Sequence, residues 1–99
     1  MSKTHYLKTV QPYFKAIWFG AKTAEIRLND RNFQVGDIMI LMEYDEETNT
    51  YSSKALETVI TYVLEGPLFG ISEGYAMLCF DPNKVIIRMN TNVERVNRS

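Results

Sequence analysis

Turn-forming residues interrupt this chain so often that only short helices and strands fit between them. They cluster at Gly20, at residues 29–32, at Gly36-Asp37, at Gly66-Pro67 and at residues 81–83. Gly, Pro, Asn and Asp favour the backbone angles of turns and helix ends. Residues 90–99 are polar and contain two valines, so we expect a disordered tail there. The core must therefore come from several short elements within residues 1–89, which we expect to form one domain.

Size and charge exclude several classes of protein. A chain of 99 residues has room for a single domain. Its net charge of -1 excludes a polycation that binds nucleic acid through bulk charge, and its apolar content of 45% excludes an acidic disordered chain. No run approaches the ~20 apolar residues of a membrane span, residues 1–5 are unlike a signal peptide, and Cys79 is the one cysteine. We therefore predict a cytoplasmic protein with no membrane contact.

The first elements are a short strand and a short helix. Tyr6–Val10 is predicted as a strand, and Pro12 suits the first position of a helix because its missing N–H is not needed there. The helix carries one apolar stripe and ends at Gly20. The stripe consists of Tyr13, Phe14, Ile17 and Trp18. A helix this short needs a packing partner to persist.

From residue 23 the hydrophobic period changes from 3.6 to 2, which indicates strands. Polar residues at 23, 25 and 27 alternate with apolar residues at 24, 26 and 28, so this strand should have one polar and one dry face. Further strands are predicted over Ile38–Met42, which we expect to be central, Lys54–Leu64, Tyr75–Phe80 and Val85–Met89. We predict an α+β, mainly β fold: a small closed or nearly closed barrel of five or six strands flanked by the helix, since closure removes exposed strand edges.

Three charged residues, Lys22, Glu25 and Arg27, lie on or just before the strand that starts at residue 23. Glu25 and Arg27 are about 6.5–7 Å apart along one strand face. Two interpretations stay open. The three side chains either line a pocket in which Arg27 binds an anion or a base edge, or they form an ordinary surface ion pair of little energy.

The string Gly20-x-Lys22-Thr23-x-Glu25-x-Arg27 matches the GxKxxExR signature of the ASCH domain, a member of the PUA-like β-barrel superfamily. A longer pattern includes His5-x-Leu7-Lys8, Tyr13-Phe14, Asn29-Asp30-Arg31-x-Phe33 and Val35-Gly36-Asp37. It resembles a small, uncharacterised subfamily of these domains in bacteria and their phages. The resemblance extends from His5 to about Phe80.

This resemblance implies a compact barrel with a cleft between the helix and the sheet, lined by Lys22, Glu25 and Arg27. It also implies a role in recognising RNA, a nucleotide or a modified nucleoside. Some small ASCH proteins act as amidohydrolases on acylated cytidine with a Lys, a Thr and a Glu, and others are described as ribonucleases. Lys22 matches the lysine of the amidohydrolases, whereas Glu25 stands where they have the threonine.

The residue chemistry favours recognition over catalysis. Lysine acts as a base or nucleophile only after losing its proton, and a neighbouring carboxylate favours the ammonium form. We therefore predict a binding module whose binding residues are Lys22, Thr23, Glu25, Arg27, His5 and Arg31. The alternatives are a small hydrolase that uses Lys22 and Glu25 as catalytic residues, and a non-catalytic accessory protein that acts through a protein partner. We expect no cofactor.

Several residues allow two interpretations each. His5 either reaches the cleft from the first strand or is exposed near a mobile terminus. Phe14 and Trp18 either belong to the core or form a wall on which a base stacks. The Leu68-Phe69 pair is either a hydrophobic plug or a flap over the cleft. Cys79 is expected to be buried and inert, and with one His and one Cys the chain has no metal-ligand spacing.

The net charge hides a segregation along the chain. Residues 1–36 carry six cations and two anions, whereas residues 37–81 carry one cation and nine anions. The basic block contains the GxKxxExR signature. A local positive region that binds a compact anion or a few nucleotides is thus compatible with a weakly acidic protein.

Overall fold

The computed structural model describes residues 2–89, which form one mainly β domain with a single short α-helix among the described residues. The elements are β1 (Thr4–Val10), α1 (Tyr13–Trp18), β2 (Ala24–Leu28), β3 (Ile38–Asp45), β4 (Thr50–Glu65), β5 (Tyr75–Phe80) and β6 (Ile86–Met89). A turn of 3-10 helix, Pro82–Lys84, joins β5 to β6. The predicted helix and all six predicted strands are present. The predicted tail, residues 90–99, lies outside the described residues.

The strands form one six-stranded sheet in the order β1-β3-β4-β5-β2, with β6 also paired to β4. β1 runs parallel to β3, and the other neighbouring strands are antiparallel. β4 is the middle strand, not β3 as expected, because its sixteen residues pair with β3 over residues 50–59 and with β5 over residues 60–65. A register shift between Ile60 and Tyr62 marks the change of partner.

The predicted closure into a barrel is not confirmed, because the strand path has two ends. Within residues 2–89 no strand ladder joins β1 to β2. Side chains span this gap instead: Arg27 Nη2 of β2 donates to Thr9 Oγ1 of β1 at 3.1 Å, and Arg31 Nη1 donates to the Tyr6 carbonyl of β1 at 3.0 Å. The sheet is therefore open in its backbone pairing while its end strands lie within reach of each other's side chains.

The core lies between α1 and one face of the sheet. Phe14 and Ile17 of α1 are each 2% exposed and form its packing face, whereas Tyr13 of the predicted stripe is 52% exposed. The rest of the buried cluster is Leu7, Phe33, Met39, Leu41, Leu56, Ile60, Ala76, Leu78 and Phe80. Trp18 packs against the margin of this cluster and stays half-exposed. The six-residue helix persists because this packing supplies what its hydrogen bonds cannot.

β2 alternates as predicted, but its two faces are reversed. Ile26 and Leu28, predicted to be dry, are 56% and 52% exposed, whereas Glu25 is buried. The pairing with β5 sets this orientation, because Glu25 lies opposite the buried Leu78, and Ile26 lies opposite the half-exposed Met77. The face that carries the signature residues is therefore the inner one.

Cys79 also differs from the prediction. It lies on the outward face of β5, opposite Ala24 of β2, and is half-buried, not buried. The alternation along β5 explains this, since Ala76, Leu78 and Phe80 take the inward positions. Separately, none of the helices in the described part of the chain has the length and apolarity needed to cross a membrane.

Candidate functional site

The structure brings the three signature side chains together around one carboxylate. Glu25 Oε1 accepts from Arg27 Nη2 at 2.9 Å, and Glu25 Oε2 accepts from Lys22 Nζ. Lys22 Nζ also donates to the carbonyl of Ala24. Lys22, Glu25 and Arg27 are called the signature cluster below. The three side chains thus form an ion-pair group, and it differs from an ordinary surface pair because its carboxylate is buried.

The end of α1 places Lys22 at the start of β2. Gly20 adopts a φ of 78° and its N–H donates to the Ile17 carbonyl at 3.0 Å. The next two N–H groups, of Ala21 and Lys22, both donate to the carbonyl of Ala16. This turn reverses the chain within three residues. Glycine suits it because a positive φ strains residues that carry a Cβ.

The two cations of the cluster are partly exposed, whereas its carboxylate is buried. The Glu25 side chain is 8% exposed, against 29% for Lys22 and 21% for Arg27. Two cations and one anion leave a net charge of +1. Within residues 2–89 the Nε and Nη1 groups of Arg27 donate no hydrogen bond. A ligand with an acceptor oxygen or nitrogen can bind them.

Neighbouring residues complete the surroundings of the cluster. Thr9 Oγ1, which accepts from Arg27, itself donates to the Leu7 carbonyl at 3.2 Å. The Tyr13 ring of α1 lies with its centroid 5.9 Å from Lys22 Nζ, a cation–π distance. Tyr13 is 52% exposed, so an accessible aromatic ring lies beside Lys22. The sequence signalled Tyr13 as part of the helix stripe and of the longer family pattern, and not as a site residue.

Thr23 and Arg31 lie apart from the carboxylate. Thr23 is exposed, and its carbonyl accepts from the Phe80 N–H at 3.1 Å, which makes its contact a backbone one. Arg31 donates to the Tyr6 carbonyl and lies 3.5 Å from the carboxylate of Asp30. Arg31 therefore fastens the loop after β2 to β1, and it remains one-third exposed.

His5 lies on β1 and is buried. It is therefore neither a residue of the cleft nor an exposed residue near the terminus. Its Nε2 is 2.8 Å from Oδ2 of Asp37, and its ring packs edge-on against Phe33. Asp37 also accepts from the backbone N–H groups of Lys3 and Gln34, each at 3.1 Å. Burial raises the pKa of Asp37, but the hydrogen bonds from His5, Lys3 and Gln34 outweigh this effect. They leave the pKa of Asp37 below 3.8, the ordinary value of an aspartate.

The hydrogen bonds that Asp37 makes with His5, Lys3 and Gln34, called the Asp37 network below, were not predicted from the sequence. It joins the start of β1 to the turn before β3, and the Asp37 carbonyl accepts from Ile60 of β4 at 2.9 Å. The Val35-Gly36-Asp37 string was its signal, because a carboxylate next to a glycine turn is well placed to accept backbone N–H groups. The network stabilises the fold at the far end of β1 from Thr9.

The Leu68-Phe69 pair forms the tip of the loop between β4 and β5. Phe69 is 88% exposed, and Leu68 pairs with Ile71 through backbone hydrogen bonds. A groove of about 540 Å³ beside Phe69 is lined by Ile26, Leu64, Ile71, Tyr75 and Met77. Since Ile26 points away from Glu25, this groove is on the outward face. The loop therefore covers the outward side of β2 and β5, and it is not a flap over the signature cluster.

Within residues 2–89 no three His, Cys, Asp or Glu side chains converge in a way that would hold a metal ion.

Residues 4–80 match the family described as Domain of unknown function (DUF3850). The chain is also 35% identical over 65 residues to the "Uncharacterized 12.9 kDa protein in GpA 3'region" of Escherichia phage P2. That alignment covers 66% of this chain and 58% of the phage protein, so the chain spans less than two thirds of that relative. The match over 4–80 includes every strand from β1 to β5 and the whole signature cluster, and the chain belongs to the DUF3850 family.

Proposed function

We propose that this domain is an ASCH-like, cytoplasmic binding module that recognises single-stranded RNA, a nucleotide or a modified nucleoside at the signature cluster. The supporting observation is the buried carboxylate of Glu25, which holds Lys22 and Arg27 side by side with part of each cation exposed. A site whose donors are already ordered loses little side-chain entropy when it binds. The ASCH resemblance also implies that the sheet closes into a barrel, and we include that closure in this proposal.

The chemistry of the cluster suits recognition of a base and a phosphate together. Arg27 retains the N–H groups of Nε and Nη1, each of which can donate to a phosphate oxygen or to an acceptor of a base edge. The exposed ring of Tyr13 beside Lys22 offers a face on which a base can stack. The net charge of +1 is small, so we expect weak binding that depends on contacts with few phosphates.

Catalysis is the less favoured alternative for the same cluster. The ammonium of Lys22 donates to both Glu25 and the Ala24 carbonyl, and a lysine nucleophile or base needs its lone pair free. Incubation with acylated cytidine and with labelled RNA tests this alternative. Turnover that is lost in Lys22→Ala would establish a hydrolase, whereas absence of turnover with both substrates supports the binding module.

Binding is tested by fluorescence anisotropy with labelled single-stranded octamers at low salt. We expect Lys22→Ala and Arg27→Lys each to weaken binding roughly tenfold, the equivalent of one charge-assisted contact. Arg27→Lys keeps the charge but removes the free Nε and Nη1 donors of the guanidinium. Lys84→Ala is the matched control, because Lys84 is exposed and lies on the 3-10 turn. Absence of binding at 20 mM salt, or equal losses in the control, would contradict the proposal.

A protein partner is the second candidate, favoured by one observation. Phe69 is 88% exposed beside the apolar groove of the outward face, and exposed apolar patches mark interaction sites more often than isolated apolar residues do. Sedimentation velocity over a range of concentrations tests whether a second copy binds there. A dimer that Phe69→Ser abolishes would support this candidate, and a monomer at all concentrations would exclude the second copy.

A further inference from the structure

A second groove, separate from the signature cluster, lies between α1 and the β3-β4 hairpin. Its volume is about 190 Å³, and it is lined by Phe14, Lys15, Trp18, Phe19, Glu43 and Lys54, with Gln11 at one edge. This set combines aromatic rings, two cations and one carboxylate. The volume lies below the roughly 300–1,000 Å³ of pockets for drug-sized molecules. The groove therefore has room for one aromatic ring system and not for a whole cofactor.

The aromatic wall of this groove is ordered yet accessible. Trp18 packs against Phe14 with ring centroids 5.9 Å apart, and it remains half-exposed. Phe19, the residue after α1, is 73% exposed. Lys54 Nζ lies over the face of the Trp18 ring, 5.6 Å from its centroid, so a base that stacks on this face displaces the flexible lysine side chain. A partly buried tryptophan held by the core offers a rigid surface on which a planar base can stack.

The polar groups of the groove limit which base fits. Glu43 Oε1 accepts from Ser52 Oγ at 2.7 Å, and Glu43 Oε2 accepts from Gln11 Nε2 at 2.5 Å. These bonds fix the carboxylate and leave each oxygen a further lone pair. A carboxylate accepts hydrogen bonds but cannot donate them, so it favours a base edge that carries an amino group. Cytosine offers N4–H₂ at a position where uracil has a carbonyl.

The surrounding charges indicate where the phosphate of such a ligand lies. Lys15 and Lys54 are exposed cations of the groove. On its far side, Gln11 and Glu43 also line an acidic groove that contains Asp45, Glu46 and Glu47. A phosphate is repelled on that side and attracted on the lysine side. The ligand is therefore anionic at one end and amino-bearing at the other.

We propose that the groove between α1 and the β3-β4 hairpin is a stacking site for one unpaired, amino-bearing nucleobase, whose phosphate contacts Lys15 and Lys54. This inference deepens the proposed function and rests on it, because it names a base class and a second contact surface for the same ligand. The phosphate is that of a free nucleotide or of an RNA strand, and the test below distinguishes these two sources.

The fluorescence of Trp18 reports on this groove directly, because the chain contains one tryptophan. Wild-type protein is titrated with CMP, with UMP and with short oligomers of C and of U, and N-acetyltryptophanamide corrects for light absorption by the nucleotides. We expect saturable quenching by the cytidine ligands, with affinity at least about fivefold higher than for their uridine counterparts. Quenching by CMP assigns a free nucleotide as sufficient, and quenching by the C oligomer alone assigns RNA.

Three variants complete the test. Lys54→Ala should weaken the quenching by cytidine ligands several-fold, Glu43→Gln should reduce the preference for cytidine over uridine, and Lys84→Ala should change neither. Quenching that stays linear with concentration and equals that of N-acetyltryptophanamide would overturn the stacking site. Equal affinity for CMP and UMP would overturn the assignment of an amino-bearing base.

This result is separable from the fate of the proposed function. If RNA binds in the anisotropy assay with dependence on Lys22 and Arg27 but does not quench Trp18 saturably, the proposed function stands and the stacking site is wrong. If neither assay detects binding, both are wrong. Saturable quenching by the C oligomer that Arg27→Lys does not alter would keep the stacking site and reject the signature cluster as the main contact.

Discussion

Glu25 is the residue on which the signature cluster depends. Its two carboxylate oxygens accept from two different cations, and its side chain is 8% exposed. A buried charge is tolerated only when it is paired and hydrogen-bonded. Lys22 and Arg27 therefore explain why Glu25 can lie buried on the inner face of β2. Glu25 in turn orders the side chains of Lys22 and Arg27.

Glu25→Gln should destabilise the fold by about 1–3 kcal/mol. Removing one member of a buried ion pair costs 3–5 kcal/mol, and we lower the figure to about 1–3 kcal/mol because Lys22 and Arg27 are partly solvated. Urea denaturation followed by circular dichroism measures the change. Glu73→Gln, an exposed loop residue, serves as the control. A stability loss of similar size in the control, or none in Glu25→Gln, would show that the pair is an ordinary surface one.

Asp37 predicts how stability depends on pH. Its pKa is below 3.8 in the folded protein, so the folded state binds this proton less readily than the unfolded state does. The stabilisation is present above pH 3.8 and is lost as the pH falls below it, through the folded pKa. Denaturation at a series of pH values should show wild type exceeding Asp37→Asn at pH 6, with the difference shrinking below pH 3.8. A difference that is constant down to pH 2 would contradict this.

At the scale of elements, periodicity predicted where strands and the helix lie but not which way β2 faces. The stripe of α1 and the alternation of β2 are visible in the sequence because burial repeats with the period of each element. The inward face of β2 is set by its pairing with β5 and by the cations that satisfy Glu25. The pairing with β5 joins residues distant in sequence, which local alternation does not contain, whereas Lys22 and Arg27 lie within three residues of Glu25.

The beginning of β4 shows the same limit. The strand was predicted from Lys54 and begins at Thr50, because Tyr51 and Thr50 pair with Tyr44 and Asp45 across the hairpin. The polar residues between them favour a turn by composition. Cross-strand pairing, including the edge-on contact of the Tyr44 and Tyr51 rings, extends the ladder into this polar segment.

Phe14 should contribute much more to stability than the neighbouring Phe19. Phe14 is 2% exposed in the core, whereas Phe19 is 73% exposed at the end of the same helix. Phe14→Ala should cost about 3–5 kcal/mol, since it leaves a cavity, and Phe19→Ala should cost less than about 0.5 kcal/mol. Guanidinium denaturation of both variants provides a matched comparison. Equal losses would mean that α1 does not pack as described.

At the scale of the whole molecule, the charge segregation of the sequence becomes a separation of surfaces. The basic N-terminal block supplies the signature cluster and Lys15, and the acidic middle block supplies the groove that contains Asp45, Glu46 and Glu47. An RNA strand laid across the whole protein would meet both. We infer that a nucleic acid binds through only a few nucleotides, which lie near α1 and β2. We therefore expect weak binding.

This inference predicts a shallow dependence of binding on salt. If the signature cluster and α1 neutralise two or three phosphates, affinity for single-stranded RNA should fall roughly 7- to 18-fold between 50 and 200 mM salt. Anisotropy titrations with the labelled octamers measure the slope. A fall of a thousandfold or more would indicate an extended basic surface that the described residues do not provide, and no fall would exclude phosphate contacts.

Closure of the sheet is the whole-molecule property that the sequence predicted least well. Counting six strands indicated a barrel, but closure depends on which strands take the ends of the path. Here β1 and β2 take them, and Arg27 and Arg31 bridge the gap through side chains. The signature arginine thus contributes to the fold as well as to the candidate site, which is the reason for testing it with Arg27→Lys before Arg27→Ala.

The most direct test of the central claim is a nuclear magnetic resonance titration of labelled protein with a short single-stranded RNA. Binding at the signature cluster predicts that the largest shifts occur at the backbone amides of Lys22 and Glu25 and at the Arg27 Nε–H. The amides around Phe69 on the outward face should stay unchanged. Shifts confined to the outward face, or no shifts at millimolar RNA and low salt, would contradict the account.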